Sequence, residues 1–350
     1  MASVARKKIP RVTVLMPVYN GARYLPEAIE SILGQTFVDF ELLIIDDGST
    51  DESATVVAGY PDDRIRLIRQ PSNRGLITAL NLGLELSRGE FVARMDADDI
   101  SLPLRLSRQV EYLDNHPEVG ICGSWLEAFA DDIRTQWVVP TKHDEIICSL
   151  VFESVMYHPT VMLRKQLLAD HGLRYDALYP HAEDYELWSR CGQYFQLANM
   201  DEVLVYYRLH EQSVGQTQAT TKLQSANRVR GKMIERLNLA CRQEELTLHC
   251  SLGIWQQPGE ADFLKRSHAW LLRLQSANAV MKCYPEPDFS RVLALRWQFV
   301  CCQASFVGLS AFRLYRRSPF RNHAKLPLKS LLFFWMSCVL KCDRRHPSTT

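Results

Sequence analysis

The sequence predicts an α/β fold in which helices flank a mostly parallel sheet, with a helical region in the C-terminal part. Apolar stretches of strand length alternate with segments of helical spacing in the order β-α-β-α-β-α-β within the first hundred residues. This alternation requires parallel strands joined by right-handed crossovers. After about residue 216 the strand signals disappear, and helical patterns rich in Leu, Arg and Trp continue. We therefore expect one domain over 9–215 and a helical region over 216–350.

The individual elements are predicted from the spacing of apolar residues and from the positions of Pro and Gly. A helix after Pro26 is predicted because apolar residues recur at helical spacing at Leu25, Ile29, Ile32 and Leu33. Further helices are predicted after Asn73–Gly75, after Pro103 and from the segment 181–188. Strands are predicted at about 11–18, 40–45, 65–68, 91–93, 119–129, 158–163 and 203–208.

Composition excludes several classes of protein. The chain has 350 residues, of which 47% are apolar and 23% charged, and its net charge of +1 lacks the basicity of a general nucleic-acid binder. Ten cysteines without a Cys-x-x-Cys pair argue against a zinc site and are typical of a reducing cytosol. The apolar run at 12–16 is too short for a signal peptide, and no run reaches the roughly 18–20 residues of a transmembrane helix.

Polar clusters follow three of the predicted parallel strands. They are Pro17–Asn20, Asp46–Ser49 and Asp96–Asp99. In open parallel sheets, ligands bind outside the carboxyl ends of the strands, so these clusters are expected to meet in one crevice. The chain has neither a Gly-x-Gly-x-x-Gly motif after the first strand nor a Gly-Lys-Ser/Thr loop, which excludes two common phosphate cradles. A diphosphate bound here would need a divalent cation.

The run Asp96-Ala97-Asp98-Asp99 supplies three carboxylates in four residues. Carboxylates this close repel one another unless they face water, cap a helix or hold a cation. An Asp-x-Asp at a strand end suits Mg²⁺ or Mn²⁺, which take oxygen ligands and share them with substrate phosphates. The alternative is a loop before the next helix, with Asp99 or Ser101 as its N-cap.

Six motifs in order carry a resemblance to a known family. They are the segments 12–20, 31–36, 46–51, 73–75, 96–99 and 182–184. Together they resemble the family 2 inverting glycosyltransferases of Rossmann-like GT-A fold, over roughly 9–215. The resemblance implies a nucleotide-diphosphate-sugar donor, with a UDP-sugar expected, and makes 9–215 the catalytic domain. It implies that Pro17, Tyr19 and Asp47 contact the base and ribose, and that Arg74 contacts the nucleotide.

The same resemblance implies the chemistry. Asp96 and Asp98 correspond to the Asp-x-Asp that engages ribose and Mn²⁺ or Mg²⁺, with Asp99 as a further metal ligand. Asp184 resembles the catalytic base, and Glu183 is expected to contact substrate. In the alternative, Asp184 only caps a helix and Glu183 is the catalytic base. His210 is a candidate third protein ligand of the metal. Arg94-Met95 stand where the family often has Leu or Phe, and no effect on the metal site is expected from them.

The implied function is metal-dependent, inverting transfer of a sugar to a hydroxyl of a surface polysaccharide or glycolipid. The acceptor would be a glycan or a lipid-linked molecule, and no nucleic acid is expected as a partner. Two alternatives are a polyprenyl-phosphate sugar synthase and a non-catalytic sugar-nucleotide-binding scaffold on the same fold. The protein is expected in the cytoplasm, with peripheral binding to the inner face of the plasma membrane as an option. The sequence leaves the sugar and the linkage open.

The segment Leu331–Leu340 is apolar but only about half a membrane thick. Basic residues surround it, namely Arg313, Arg316, Arg317, Arg321, Lys325, Lys329, Lys341, Arg344 and Arg345. Two interpretations are open: an interfacial helix on anionic lipid, or a helix packed on the protein core.

Overall fold

The structure is a computed structural model that describes residues 9–131, 133–210, 218–256 and 261–342. The chain separates into two compact units. One comprises the residues up to 146 together with 154–226, and the other comprises 147–153 and the residues from 227 onward. The predicted boundary between 215 and 216 lies outside the described residues and stays a prediction.

The first unit is built on a nine-stranded sheet of order β3-β2-β1-β4-β8-β6-β9-β5, with β7 paired to β6. Its strands are β1 Val12–Val18, β2 Phe40–Asp46, β3 Ile65–Arg69, β4 Phe91–Arg94, β5 Ile100–Ser101, β6 Val119–Ala130, β7 Ile133–Trp137, β8 Met162–Arg164 and β9 Gln196–Arg208. The first four strands pair in parallel, which confirms the predicted alternation. Beyond β4 the sheet is mixed: β8 runs antiparallel to β4 and β6, and β9 runs parallel to β6.

One strand prediction is wrong in its first half. His158–Thr160 form a 3₁₀ turn, and the strand begins only at Met162. Pro159 has no backbone N–H for a ladder, and Thr160 donates both its N–H (2.9 Å) and its hydroxyl (2.8 Å) to the carbonyl of Tyr157. These local hydrogen bonds replace sheet pairing at this point.

The helices begin and end as follows: α1 Leu25–Leu33, α2 Ser53–Ala58, α3 Leu76–Leu86, α4 Arg105–Asn115, α5 His143–Ser149, α6 Lys165–Asp170, α7 Glu183–Cys191, α8 Ala219–Glu235, α9 Gln243–Gly253, α10 Ala261–Met281, α11 Asp288–Gln303, α12 Leu309–Arg317 and α13 Leu328–Val339. Leu25, Ile29 and Ile32 of α1 are buried against the apolar faces of β1 and β2, as their spacing predicted. From residue 218 onward the described segments are helical and contain no strand. Each described helix is too short or too polar to cross a membrane.

The loops that follow β1 and β2 are tied together by side-chain hydrogen bonds. The N–H of Asn20 donates to Ser49 Oγ at 3.0 Å, and the N–H of Thr50 donates to Asn20 Oδ1 at 2.8 Å. Gly48, in the loop that follows β2, has φ +75°, and a Cβ added there would lie 2.5 Å from the carbonyl carbon of Ser72. The segment 46–51 therefore requires glycine for both its backbone angle and its close approach to a neighbouring loop.

Replacing this glycine should be more costly than its backbone angle alone explains. Gly172 has a similar φ of +61° but open space around its Cβ position, so it is a matched control. We expect Gly172→Ala to cost about 1–2 kcal/mol of unfolding free energy from the left-handed angle. Gly48→Ala should cost at least about 1 kcal/mol more, because backbone atoms must move. Thermal melting by circular dichroism measures both; equal losses would contradict the clash.

Candidate active site

The carboxyl ends of β2, β1 and β4 lie side by side, because these three strands are parallel neighbours. Tyr19, Asp47 and Asp96 follow these ends directly and so come to one edge of the sheet. Pro17 is buried within β1 opposite Ile45, whereas the side chain of Tyr19 is half-exposed. The predicted convergence of the polar clusters is present in the structure.

Asp47 holds the loop that carries Arg74. Its Oδ1 accepts hydrogen bonds from Gln70 Nε2 at 2.6 Å and from the N–H of Arg74 at 2.9 Å, and its Oδ2 accepts from the N–H of Gly75 at 2.8 Å. The Arg74 side chain itself is exposed. A carboxylate has about four lone-pair positions, of which Asp47 uses three here, and Asp47 is only 3% exposed.

Asp96, Asp98 and Asp99 offer one oxygen each within 4.8 Å of one another. Asp99 is 1% exposed; its Oδ1 accepts the N–H of Arg208 at 2.9 Å, and its Oδ2 is buried without a hydrogen-bond partner. Burial, with the charges of Asp96 and Asp98, raises the pKa of Asp99 well above its usual range. Burial also raises the pKa of Asp96, against the opposing charge of Arg94, with Asp98 and Asp184 adding to the rise.

This donor set fits a hard divalent cation. Oxygen-only ligands grouped this closely match what Mg²⁺ and Mn²⁺ accept. The unpartnered Oδ2 of Asp99 is an unfavourable buried group that a cation would satisfy. The cluster is not explained as a helix cap, because the next helix begins at Arg105 and Leu104 precedes it as cap residue.

Arg94 lies beneath the cluster and is 4% exposed. Its guanidinium contacts Oδ2 of Asp96, and its Nε is buried without a partner. Burial alone would lower the pKa of Arg94, but the charge and hydrogen bond of Asp96 outweigh it and raise the pKa. The expectation that this position has no bearing on the metal site misses this direct contact. Arg94 supplies a fixed positive charge to the acidic cluster.

Residues at the end of β9 and just after it also contact the aspartate cluster. His210 Nε2 lies 2.8 Å from Asp98 Oδ2, within hydrogen-bond distance. Arg208 donates from Nε to the carbonyl of Asp98 at 2.9 Å, and its guanidinium contacts Glu27. Among the described residues, the group of mutually close ligand atoms comprises the three aspartates, and His210 adjoins it through Asp98.

Glu183 and Asp184 form the first turn of α7, after His181 with φ +63°. Burial and the charge of Asp184 raise the pKa of Glu183 to about 7, and its Oε2 is buried without a partner. Burial raises the pKa of Asp184 too, opposed by the N–H of Tyr185 and the charges of Lys222 and Arg94. The charge of Asp184 also helps to raise the pKa of Asp96, so the two carboxylates lie within electrostatic reach of each other.

Comparisons with known proteins place this chain in a family. Residues 13–172 match the sequence profile described as "Glycosyl transferase family 2". The amylovoran biosynthesis glycosyltransferase AmsE of Erwinia amylovora is 31% identical over 237 residues, which cover 66% of this chain and 86% of AmsE. The chain is a family 2 glycosyltransferase.

Two further relatives agree. The O-antigen biosynthesis glycosyltransferase WbnJ of Escherichia coli is 34% identical over 211 residues, covering 58% of this chain and 81% of WbnJ. An uncharacterized glycosyltransferase of Haemophilus influenzae is 36% identical over 213 residues, covering 57% of this chain and 66% of that protein. An enzyme is therefore favoured over the scaffold alternative.

Solved structures show the same fold for this glycosyltransferase. S. aureus TarS 1–349 in complex with UDP-GlcNAc has a TM-score of 0.54 at 19% identity and covers 89% of both chains. The mannosyltransferase PcManGT of Pyrobaculum calidifontis, in complex with GDP-Man and Mn²⁺, has a TM-score of 0.52 at 17% identity. The latter match covers 96% of this chain and 87% of PcManGT.

Sequence reasoning missed the cations that act on Asp184 in this glycosyltransferase. Arg94 and Lys222 both act electrostatically on Asp184, and Arg94 also contacts Asp96. Arg105 is buried below them and donates to the carbonyl of Arg94 at 2.6 Å; burial and the charge of Arg94 lower the pKa of Arg105 to about 9. An arginine inside the apolar strand 91–94 was the one available signal, since buried arginines are rare unless paired.

Proposed function

We propose that this glycosyltransferase moves a sugar from a nucleotide-diphosphate-sugar to a hydroxyl of an acceptor in surface polysaccharide synthesis, with inversion at the anomeric carbon. The observation that supports the proposal is that two carboxylate groups of different kind lie within electrostatic reach of each other. One is a three-aspartate cluster that suits a cation; the other is the Glu183-Asp184 pair at the start of α7. The names of AmsE and WbnJ, which refer to amylovoran and O-antigen biosynthesis, support the pathway class.

The donor nucleotide would lie over the ends of β1 and β2. Tyr19 offers an exposed aromatic ring, Asp47 a hydrogen-bond acceptor and Arg74 an exposed guanidinium. Pro17 shapes the strand end beneath them. A UDP-sugar is the expected donor. TarS in complex with UDP-GlcNAc and PcManGT in complex with GDP-Man support a nucleotide-sugar in general.

The cation would be held by Asp96, Asp98 and Asp99, with His210 beside Asp98. When bound, Mn²⁺ or Mg²⁺ neutralises charge on the diphosphate and so makes the nucleoside diphosphate a better leaving group. The Mn²⁺ in the PcManGT complex supports this assignment. The ion pair between Arg94 and Oδ2 of Asp96 would orient the Asp96 carboxylate so that its other oxygen faces the cation.

Asp184 would act as the general base. Its carboxylate takes the proton of the acceptor hydroxyl while that oxygen attacks the anomeric carbon from the side opposite the leaving diphosphate. A raised pKa makes a carboxylate a better proton acceptor, and the charges of Lys222 and Arg94 oppose the rise. One displacement of this kind inverts the anomeric centre. Glu183 is the neighbouring group that positions substrate.

Metal dependence is tested by titration calorimetry with UDP, GDP and dTDP. We expect the preferred nucleotide to bind at least about tenfold more weakly in EDTA than with Mn²⁺, since a diphosphate beside three carboxylates is repelled. Asp98→Asn should lose most of the Mn²⁺ effect. The matched control is Asp201→Asn, an exposed aspartate at a distance in β9. Equal affinity with Mn²⁺ and with EDTA would contradict the metal site.

A further inference from the structure

Helix α13 presents an apolar face to solvent. Its exposed large side chains are Leu328, Leu332, Phe333, Trp335, Met336 and Val339, followed by Leu340; Leu328 is 82% exposed and Phe333 62%. Leu328, Leu332, Trp335, Met336 and Val339 recur at intervals that place them on one side of a helix with about 3.6 residues per turn. Neighbouring exposed apolar side chains of this kind are typical of an interaction surface.

The opposite side of α13 is packed inside the same unit. Phe334 and Cys338 are buried, and the ring of Phe334 lies 5.5 Å from that of Phe312 and 5.8 Å from that of Tyr315, both on α12. The two interpretations from the sequence are therefore combined in one helix. One side anchors α13 to α12, and the side chains on the other side are exposed.

The charges of the sequence segment that contains α13 indicate the kind of partner. The segment 304–342 contains no Asp or Glu. It carries exposed basic side chains at Arg313, Arg316, Arg317, Arg321, Lys325, Lys329 and Lys341. Exposed Leu, Phe and Trp side chains with Lys and Arg nearby are typical of helices that lie in the interface of an anionic bilayer. A second copy is disfavoured, because a two-fold contact through this face would bring the same cations together.

We propose that the exposed face of α13, together with the surrounding Lys and Arg side chains, docks on the surface of an anionic lipid bilayer. The apolar side chains would enter the headgroup boundary without spanning it, and the cations would contact lipid phosphates. This goes beyond the sugar-transfer proposal and does not depend on it. Docking would place the second unit at the surface where a lipid-linked acceptor resides.

The test is co-sedimentation of the full chain with vesicles of phosphatidylcholine alone or mixed with phosphatidylglycerol, at low and high sodium chloride. We expect binding to the mixed vesicles that weakens with salt, and little binding to phosphatidylcholine alone. Phe333→Ser/Trp335→Ser should reduce partitioning at least about tenfold. The control is Val280→Ser/Met281→Ser, which alters exposed apolar residues of α10.

The electrostatic part has its own matched pair. Lys325→Glu/Lys329→Glu should reduce binding to mixed vesicles about tenfold or more, whereas Lys265→Glu/Lys282→Glu, with the same charge change at exposed lysines of the same unit, should have a smaller effect. Equal losses in both pairs, or equal binding to both vesicle types, would overturn the proposal. So would a lipid-free dimer in sedimentation velocity that Phe333→Ser/Trp335→Ser abolishes. Nucleotide binding measured on the same preparations reports separately on the sugar-transfer site.

Discussion

Asp184→Asn is expected to lower the rate of sugar transfer by at least about a hundredfold, or roughly 3 kcal/mol at the barrier, because Asn cannot accept the hydroxyl proton. Donor binding should stay within a few-fold of the unmodified protein, since the change keeps the size and a hydrogen-bond acceptor. The measurement is the single-turnover transfer rate at saturating donor, with nucleotide affinity determined separately. A near-normal rate would remove Asp184 as the base.

Stability separates this loss from misfolding. The pKa of Asp184 is raised by burial, so the folded state favours its protonated form. Stabilisation by such a group is complete below its unfolded pKa and is lost as the pH rises through the folded pKa. Asn lacks this titration. At neutral pH, Asp184→Asn should therefore melt at the same temperature as the unmodified protein or higher, while transfer is lost.

Glu183→Gln is the neighbouring control. Because the pKa of Glu183 is raised to about 7, ionising this group above that pH costs the folded state up to about 4 kcal/mol relative to an unfolded pKa of about 4.3. The stability of Glu183→Gln relative to the unmodified protein should therefore increase as the pH rises from about 4 to about 7, with transfer reduced only a few-fold. If Glu183→Gln instead loses transfer and Asp184→Asn does not, Glu183 is the base.

The sequence predicted the parts of this protein that local pattern determines. The four parallel strands, the helices between them and the polar clusters at their carboxyl ends follow from spacing and from the rule that joins parallel strands by crossovers. With the order of those strands known, the meeting of Tyr19, Asp47 and Asp96 is a geometric consequence.

The remainder depends on tertiary pairing, which spacing does not encode. Strand β5 has two residues and exists because Ile100 pairs with Tyr206, more than a hundred positions away. The ion pair of Arg94 with Asp96 depends on how the chain turns after β4. Likewise, half of a predicted strand is instead a 3₁₀ turn around Pro159, and an apolar pattern does not reveal the hydrogen bonds that hold this turn.

Arg94→Met should destabilise the protein by about 3–5 kcal/mol, because it leaves the partly buried carboxylate of Asp96 and the buried carboxylate of Asp99 without their fixed cation. Saturating Mn²⁺ should recover about 2–3 kcal/mol of this loss by binding the folded state more tightly than the unfolded one. Arg164→Met is the control: Arg164 is also largely buried, but it donates to the carbonyl of Val119 at 2.9 Å and lies outside the acidic cluster. Arg164→Met should be less stable than the unmodified protein. Mn²⁺ should stabilise this variant no more than it stabilises the unmodified protein. Thermal melting with and without Mn²⁺ measures both; the same Mn²⁺ shift in the two variants would show that Arg94 does not act as the charge partner of the cluster.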